Sequence, residues 1–213
     1  MKIKLVILFV LVDIGTVTNL YSQEKYKSEI SIGIKAGTTF SNIVSDTLLT
    51  QKLLLGVNGG VAINFISEPH FGTQLELNYT QKGWNEKIDS STNYKRKLFY
   101  LESAFLSRIE TGVKSTRLYI NLGLFLSYKI DEKSFFDDSK MTKNYYLSKI
   151  DNNFEYGVCA GGGFIQKTKI GSFEIEFRYG YSLSNIFKPD HYSSFSSSHN
   201  QVISVDLLYL ISL

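Results

Sequence analysis

Eight long stretches of this sequence alternate apolar and polar residues with a period of two, and this alternation constrains the fold more than any other feature. In "FGTQLELNYTQK" (71–82), Leu75 and Leu77 alternate with Glu76 and Asn78. A period of two indicates an extended strand with one apolar and one polar face. The eight segments lie at approximately 29–42, 54–66, 71–82, 96–110, 116–128, 153–166, 171–184 and 200–212. Because we find no segment with a helical period, the chain is predicted to be all-β.

The lengths of the segments and of their connections predict how the strands are arranged. The segments have about 11 to 15 residues, whereas a globular strand usually has about 5–6 and a tilted membrane-crossing strand about 9–11. The connections alternate between long and short along the chain: 43–53, 67–70, 83–95, 111–115, 129–152, 167–170 and 185–199. Short periplasmic turns and longer extracellular loops are typical of bacterial outer-membrane barrels. We therefore predict one domain, residues 23–213, that forms an eight-stranded antiparallel up-and-down transmembrane β-barrel.

Alternation alone fits either a soluble barrel with an apolar lumen or a membrane barrel with an apolar exterior. Large side chains such as Leu75, Phe105 and Phe177 share one face of their strands, while glycines such as Gly37 and Gly161 occupy the opposite face. The interior of an eight-stranded barrel is only just wide enough to be filled by side chains. The bulky face is therefore predicted to point outward, toward lipid. Two aromatic residues, Tyr119 and Phe125, break this pattern and are predicted to point inward.

The glycine-bearing face also carries ten charged residues and one conspicuous asparagine. A basic side chain on the lipid face costs roughly 2–4 kcal/mol at the bilayer midplane. Ten charges facing lipid would exceed the stability of most domains, which is about 5–15 kcal/mol. We therefore predict a structural polar network in the lumen, formed by Lys35, Glu76, Glu102, Arg108, Arg117, Asn121, Glu155, Glu174, Glu176, Arg178 and Asp206.

The first 22 residues differ from the rest of the chain. Lys2 and Lys4 precede the apolar run "LVILFVLV" (5–12), which is too short to cross a bilayer as a helix. Basic residues before a short apolar run are typical of a secretory signal peptide, predicted here over residues 1–22. The single cysteine, Cys159, allows no internal disulfide. The net charge of +3 is dispersed along the sequence, so we expect no nucleic-acid partner.

The most specific alternative to a structural or surface role is an enzyme, because some small outer-membrane barrels modify lipid A. The connection 185–199 contains His191 and His199 with several serines between them, and Asp190 lies beside them. A catalytic Ser–His pair needs a fixed geometry and a carboxylate that orients the histidine. A serine-rich loop is poorly suited to hold these side chains in a fixed geometry. We expect a solvated loop and no enzyme. The acidic run 131–138 lacks the spacing of a calcium loop, so we expect neither a metal nor a cofactor.

Several segments resemble a known family. "IGIKAGTTFSNI" (32–43), "YLESAFLSR" (100–108) and "IEFRYGYSLSNI" (175–186) are similar, in order and spacing, to segments of the PorT-like outer-membrane barrel family. Ser103 and Ala104 stand where that family usually has Ile-Pro. The resemblance implies contact with outer-membrane lipids, insertion by the barrel-insertion machinery, and a possible part in type IX secretion. A structural or surface-interaction role is expected, with an envelope protein as a possible partner through the long loops. A soluble, lipocalin-like barrel is the competing non-enzymatic class.

Overall fold

The computed structural model describes residues 27–45, 51–87, 93–136, 150, 152–187 and 198–213, and their regular structure consists of β-strands. The strands are β1 (Glu29–Ser45), β2 (Gln51–Lys52), β3 (Leu54–Ile66), β4 (Phe71–Lys87), β5 (Asn93–Val113), β6 (Thr116–Phe136), β7 (Phe154–Thr168), β8 (Gly171–Ser182) and β9 (Ser198–Ser212). No helix in these residues is long and apolar enough to span a membrane. The predicted signal peptide, His191 and Asp190 lie outside the described residues.

The eight long strands close into a barrel. Each pairs antiparallel with its neighbours in chain order, and β1 pairs with β9 through registers such as Gly37↔Asp206 and Ile34↔Tyr209. The two-residue strand β2 lies outside this ring and pairs only with β4. Closure leaves no unpaired strand edge across the bilayer, so the backbone groups are satisfied without water. The predicted eight-stranded antiparallel barrel is confirmed.

One end of the barrel carries the tight turns and the other carries the long connections. The turns at 67–70, 114–115 and 169–170 lie at the same end as the chain terminus, where the Leu213 amide donates a 2.9 Å hydrogen bond to Ile30 O. Lys114 adopts a positive φ of 58° in one of the two two-residue turns. We call this the short-turn end and the opposite end the long-loop end.

The outer surface is apolar over the height of a bilayer. Leu122 and Ile34, for example, are 65% and 64% exposed. Outward residues of β5 from Ile109 to Phe99 span ten residues, which at about 3.3 Å per residue and a tilt of about 40° is roughly 25 Å, the height of the lipid-facing band of such barrels. Aromatic residues border this band toward the short-turn end (Phe65, Phe71, Phe164, Phe173, Tyr209) and toward the long-loop end (Tyr79, Phe99, Tyr128, Phe154, Tyr181). A soluble barrel with an apolar lumen does not describe this chain.

The strands β5 and β6 are longer than the alternation predicts. Each has 21 residues, against predicted limits of 96–110 and 116–128. Most of their additional residues, 93–95 and 129–136, rise beyond the aromatic border at the long-loop end, and a bulge interrupts their pairing between Phe99 and Tyr100. Above the bilayer the outer face of a strand meets water, so the polar–apolar alternation that marks the lower part is lost.

Candidate functional site in the barrel lumen

The centre of the lumen holds two cations among three carboxylates. Lys35 Nζ lies 2.9 Å from Glu176 Oε1, 3.1 Å from Asp206 Oδ2 and 3.2 Å from Glu76 Oε2. These side chains come from β1, β4, β8 and β9 and converge because all occupy inward positions of a narrow barrel. The Lys35 and Glu76 side chains are fully excluded from solvent.

Arg178 forms the second cation of this central layer. Its guanidinium makes a two-pronged contact with Glu76, at 2.7 Å from Nη1 to Oε2 and 2.6 Å from Nη2 to Oε1. Nη2 also lies 2.7 Å from Glu176 Oε1. The second oxygen of Glu176 accepts hydrogen bonds from Asn121 Nδ2 at 2.8 Å and Tyr119 Oη at 3.1 Å. Bidentate, charge-assisted hydrogen bonds of this kind hold a fixed geometry, so the layer braces strands on opposite sides of the barrel.

A second layer lies toward the short-turn end around Arg108. Its guanidinium donates to Glu110 at 2.9 Å, to Gln74 at 2.6 Å and to Glu174 at 2.9 Å. The guanidinium carbon also lies 3.7 Å from the centre of the Tyr119 ring, a cation–π contact. Arg117 pairs with the other Glu110 oxygen at 3.3 Å and is partly exposed, which marks the end of the lumen.

A third layer lies toward the long-loop end around Lys82. Its Nζ is 2.6 Å from Glu102 Oε2 and 3.2 Å from Glu155 Oε1, and it lies 4.6 Å from the centre of the Phe125 ring. Asn200 Nδ2 donates to the second Glu155 oxygen at 2.9 Å. The cavity beside this layer measures only about 30 Å³, which is room for a water molecule and not for a ligand.

An apolar cluster closes the lumen above the Lys82 layer. We call it the mouth cluster; its members are Ile43, Trp84, Tyr94, Leu98, Tyr100, Ile150, Ile186 and Phe187. The chain leaving β8 turns into the lumen here, because the Ile186 amide donates to Ser198 O at 2.9 Å and the Phe187 amide to Ser198 Oγ at 3.1 Å. The expectation of a wholly solvated connection over 185–199 is therefore wrong for its first residues.

The structure places all eleven predicted lumen residues on the inner face. Glu102 and Arg117 are partly exposed, and the other nine are buried. Sequence reasoning missed Lys82 and Glu110, although each shares inward parity with a predicted neighbour. Both are the last residues of predicted segments, 71–82 and 96–110, where the alternation itself ends.

Histidine and cysteine chemistry finds little support among the described residues. His199 Nδ1 lies 3.2 Å from Ser184 O, and its ring packs 5.7 Å from that of Tyr181. Cys159 is free and buried. Among the residues that the structure describes, no group of three or more His, Cys, Asp or Glu side chains is arranged to hold a metal ion.

A closed eight-stranded barrel with an apolar exterior, two aromatic borders and an ion-paired lumen is the architecture of a bacterial outer-membrane protein. The chain belongs to the outer membrane protein beta-barrel domain family, whose sequence pattern matches residues 21–188. It is located in the bacterial outer membrane, with the short-turn end toward the periplasm and the long-loop end toward the cell exterior. No curated protein matches the sequence.

Solved structures of outer-membrane proteins are similar to this chain at low sequence identity. One is the attachment invasion locus protein Ail of Yersinia pestis, in complex with the heparin analogue sucrose octasulfate, at 15% identity and a TM-score of 0.46, covering 86% of this chain and 99% of Ail. Another is OprG of Pseudomonas aeruginosa, at 15% identity and a TM-score of 0.47, covering 88% and 95%. Neisserial surface protein A is 13% identical with a TM-score of 0.45, covering 86% and 99%.

Proposed function

We propose that this protein is a non-conducting, non-enzymatic outer-membrane barrel that acts by binding a partner at its long-loop end. The observation that carries this proposal is the filled lumen. Three layers of ion pairs around Arg108, Lys35 and Lys82 occupy it, and the mouth cluster lies above them. Such a lumen serves as a rigid support, while the ends of β5 and β6 that extend beyond the aromatic border at the long-loop end are available for contact outside the bilayer.

Conductance in planar bilayers tests the closed lumen. The purified, folded protein should insert without producing stable channels, because hydrated ions cannot pass a lumen filled by ion-paired side chains. A general porin inserted into the same bilayers shows that the assay detects open lumens. Reproducible channel openings from the wild-type protein, recorded after gel mobility has shown it to be folded, would refute the proposal.

Photo-crosslinking in living cells tests the interaction. A photoreactive residue in place of Phe135, which is 50% exposed near the end of β6 at the long-loop end, should give a specific protein adduct. The same residue in place of Ile170, 69% exposed in a short turn, is the matched control at the opposite end. Adducts that are identical at both positions, or absent at Phe135, would contradict a partner at the long-loop end.

The PorT-like resemblance suggests type IX secretion as the process in which the partner acts. Deletion of the gene should then trap exported cargo in the periplasm, and the wild-type copy should restore release. Normal secretion in the deletion strain would remove this assignment while leaving the interaction role intact.

Lipid A modification is the enzymatic alternative. We propose no catalytic role for His199, because its ring is engaged with a backbone carbonyl and with Tyr181. Expression of the wild-type protein and of His199→Ala should leave the acylation pattern of lipid A unchanged in mass spectra. An altered pattern that depends on His199 would establish the enzyme.

A further inference from the structure

The strand ends that rise above the bilayer at the long-loop end carry a concentration of lysines on their outer face. Strand register places Lys52, Asn85, Lys95 and Phe135 side by side on β2, β4, β5 and β6. The next row toward the membrane contains Lys97 directly opposite Lys133. We call Lys52, Lys95, Lys97 and Lys133 the lysine patch; it spans four strands, about 14 Å at the usual strand spacing.

Little negative charge on the described residues balances this patch. Asp131 is the acid on the same face, and its carboxylate lies 4.0 Å from Lys133 Nζ, at the limit of an ion pair. The neighbouring acid Glu132 turns inward and pairs with Arg96 and Lys129. Like charges directly opposite each other on a sheet are destabilising, so an anion bound beside Lys97 and Lys133 would relieve their repulsion.

The lower row of the patch lies at the height of the headgroup layer of the membrane, and the upper row lies just above it. Phe99 lies in the aromatic border, and its ring is 5.6 Å from Lys133 Nζ. Lys97 and Lys95 follow two and four residues beyond Phe99 on the same face of β5. At about 3.3 Å per residue and a tilt of about 40°, they lie roughly 5 and 10 Å above the border, while the headgroup layer extends roughly 5–7 Å beyond the hydrocarbon.

The charge is confined to one side of the barrel. Outward positions at the same end of β1, β3, β7, β8 and β9 carry uncharged side chains in the described part of the chain: Asn42, Val44, Leu55, Phe154, Tyr181 and Gln201. Lysines that served only a nonspecific attraction of the barrel to the membrane surface would not need to lie on one side of it. We propose that the lysine patch binds the phosphate groups of a phosphorylated lipid of the outer leaflet, whose acyl chains then lie along the apolar face of β4–β6.

Native mass spectrometry of the folded protein in neutral detergent tests this proposal. The probes are diphosphoryl lipid A and the same lipid after removal of its phosphates. The wild type should retain the phosphorylated form preferentially. Replacing all four lysines by glutamine should weaken its binding by roughly fivefold for each lysine that contacts phosphate, as expected for basic residues at an anionic membrane surface.

Two variants control for charge and folding. Replacing the four lysines by arginine retains the charge and should retain binding, whereas Lys27→Gln, Lys114→Gln and Lys169→Gln together remove three lysines from the short-turn end and should leave binding unchanged. Heat-modifiable gel mobility verifies the fold of every variant. If the fourfold variant does not fold, the pair Lys97→Gln and Lys133→Gln replaces it.

Three results would overturn the proposal. The first is equal wild-type affinity for the two lipids, and the second is unchanged binding in the glutamine variant. The third is full competition by inorganic phosphate at the concentration of the lipid, which would show a site for free phosphate and not for a lipid. None of these results bears on conductance or on crosslinking at Phe135, so the interaction role proposed above is judged separately.

Discussion

Two aromatic side chains fit inside the barrel because glycines lie opposite them. A Cβ atom at Gly157 would lie 2.5 Å from Phe125 Cζ, and a Cβ at Gly163 would lie 2.9 Å from the Tyr119 ring. Parity predicts that these rings point inward, and the structure confirms it. Their exact partners depend on register between strands, which one strand's sequence does not contain.

Gly157→Ala should therefore destabilise the barrel. The added Cβ would also lie 2.2 Å from Tyr181 O, a backbone atom that cannot easily move away. Overpacking of this kind typically costs about 1–3 kcal/mol, measurable by urea unfolding in lipid vesicles. Gly180→Ala is the matched control, since its Cβ would meet nothing closer than 3.7 Å. Equal stability of the two variants would contradict this packing.

Lys35 is the second residue at which a substitution should clearly lower the stability of the barrel. Lys35→Met leaves Glu76, Glu176 and Asp206 with one cation fewer in a buried site. Removing one partner of a buried ion pair typically costs about 3–5 kcal/mol. The control Lys167→Met breaks the partly exposed Lys167–Glu29 pair of 2.6 Å, which should cost about 0–1 kcal/mol.

A rescue variant separates charge from packing at this site. Adding Asp206→Asn to Lys35→Met removes the carboxylate whose ion pair with Lys35 is lost, while Glu76 and Glu176 keep their ion pairs with Arg178, and should recover part of the lost stability in the same urea titration. If the double variant is no more stable than Lys35→Met, the loss comes from packing and not from the unneutralised charge.

At the scale of elements, alternation predicts strands well inside the bilayer and poorly beyond it. All eight predicted segments correspond to long strands, but β5 and β6 continue to Asn93 and Phe136. The alternation reports an outer face in lipid, and it ends where that face meets water. The inward turn at Ile186 and Phe187 escaped prediction for a related reason, since two apolar residues in a polar connection have no period.

Phe187→Ala should release this inward turn from the mouth. The Phe187 ring lies 6.4 Å from the Trp84 ring in an edge-on contact and is 8% exposed. Its loss removes a core side chain, a change that usually costs about 3–5 kcal/mol. Proteinase K added to intact cells should then cleave the 183–197 connection faster than in the wild type. Phe154→Ala, at an outward position 54% exposed, is the control and should cleave at the wild-type rate.

At the scale of the whole molecule, the sequence predicts which side of each strand meets lipid, and much of the architecture follows. The lysine patch could not be predicted in this way, because its members come from three separate segments of the chain and are joined only by strand register. Predicting a surface of this kind requires the register of β2, β4, β5 and β6, whereas predicting the barrel requires only parity.

Arginine substitutions at two depths on the outer face test how the whole barrel lies in the bilayer, because the cost of a charge in free energy of unfolding depends on its depth. Leu122 is 65% exposed near the middle of the apolar band, and Val113 is 76% exposed beside a short turn. Leu122→Arg should lower the free energy of unfolding by about 2–4 kcal/mol in lipid vesicles, whereas Val113→Arg should lower it by about 0–1 kcal/mol. In water both positions would simply be solvated, so a barrel that did not span the membrane would tolerate both substitutions equally. Urea unfolding followed by tryptophan fluorescence measures the difference, and Leu122→Ala separates lost packing from the cost of the charge.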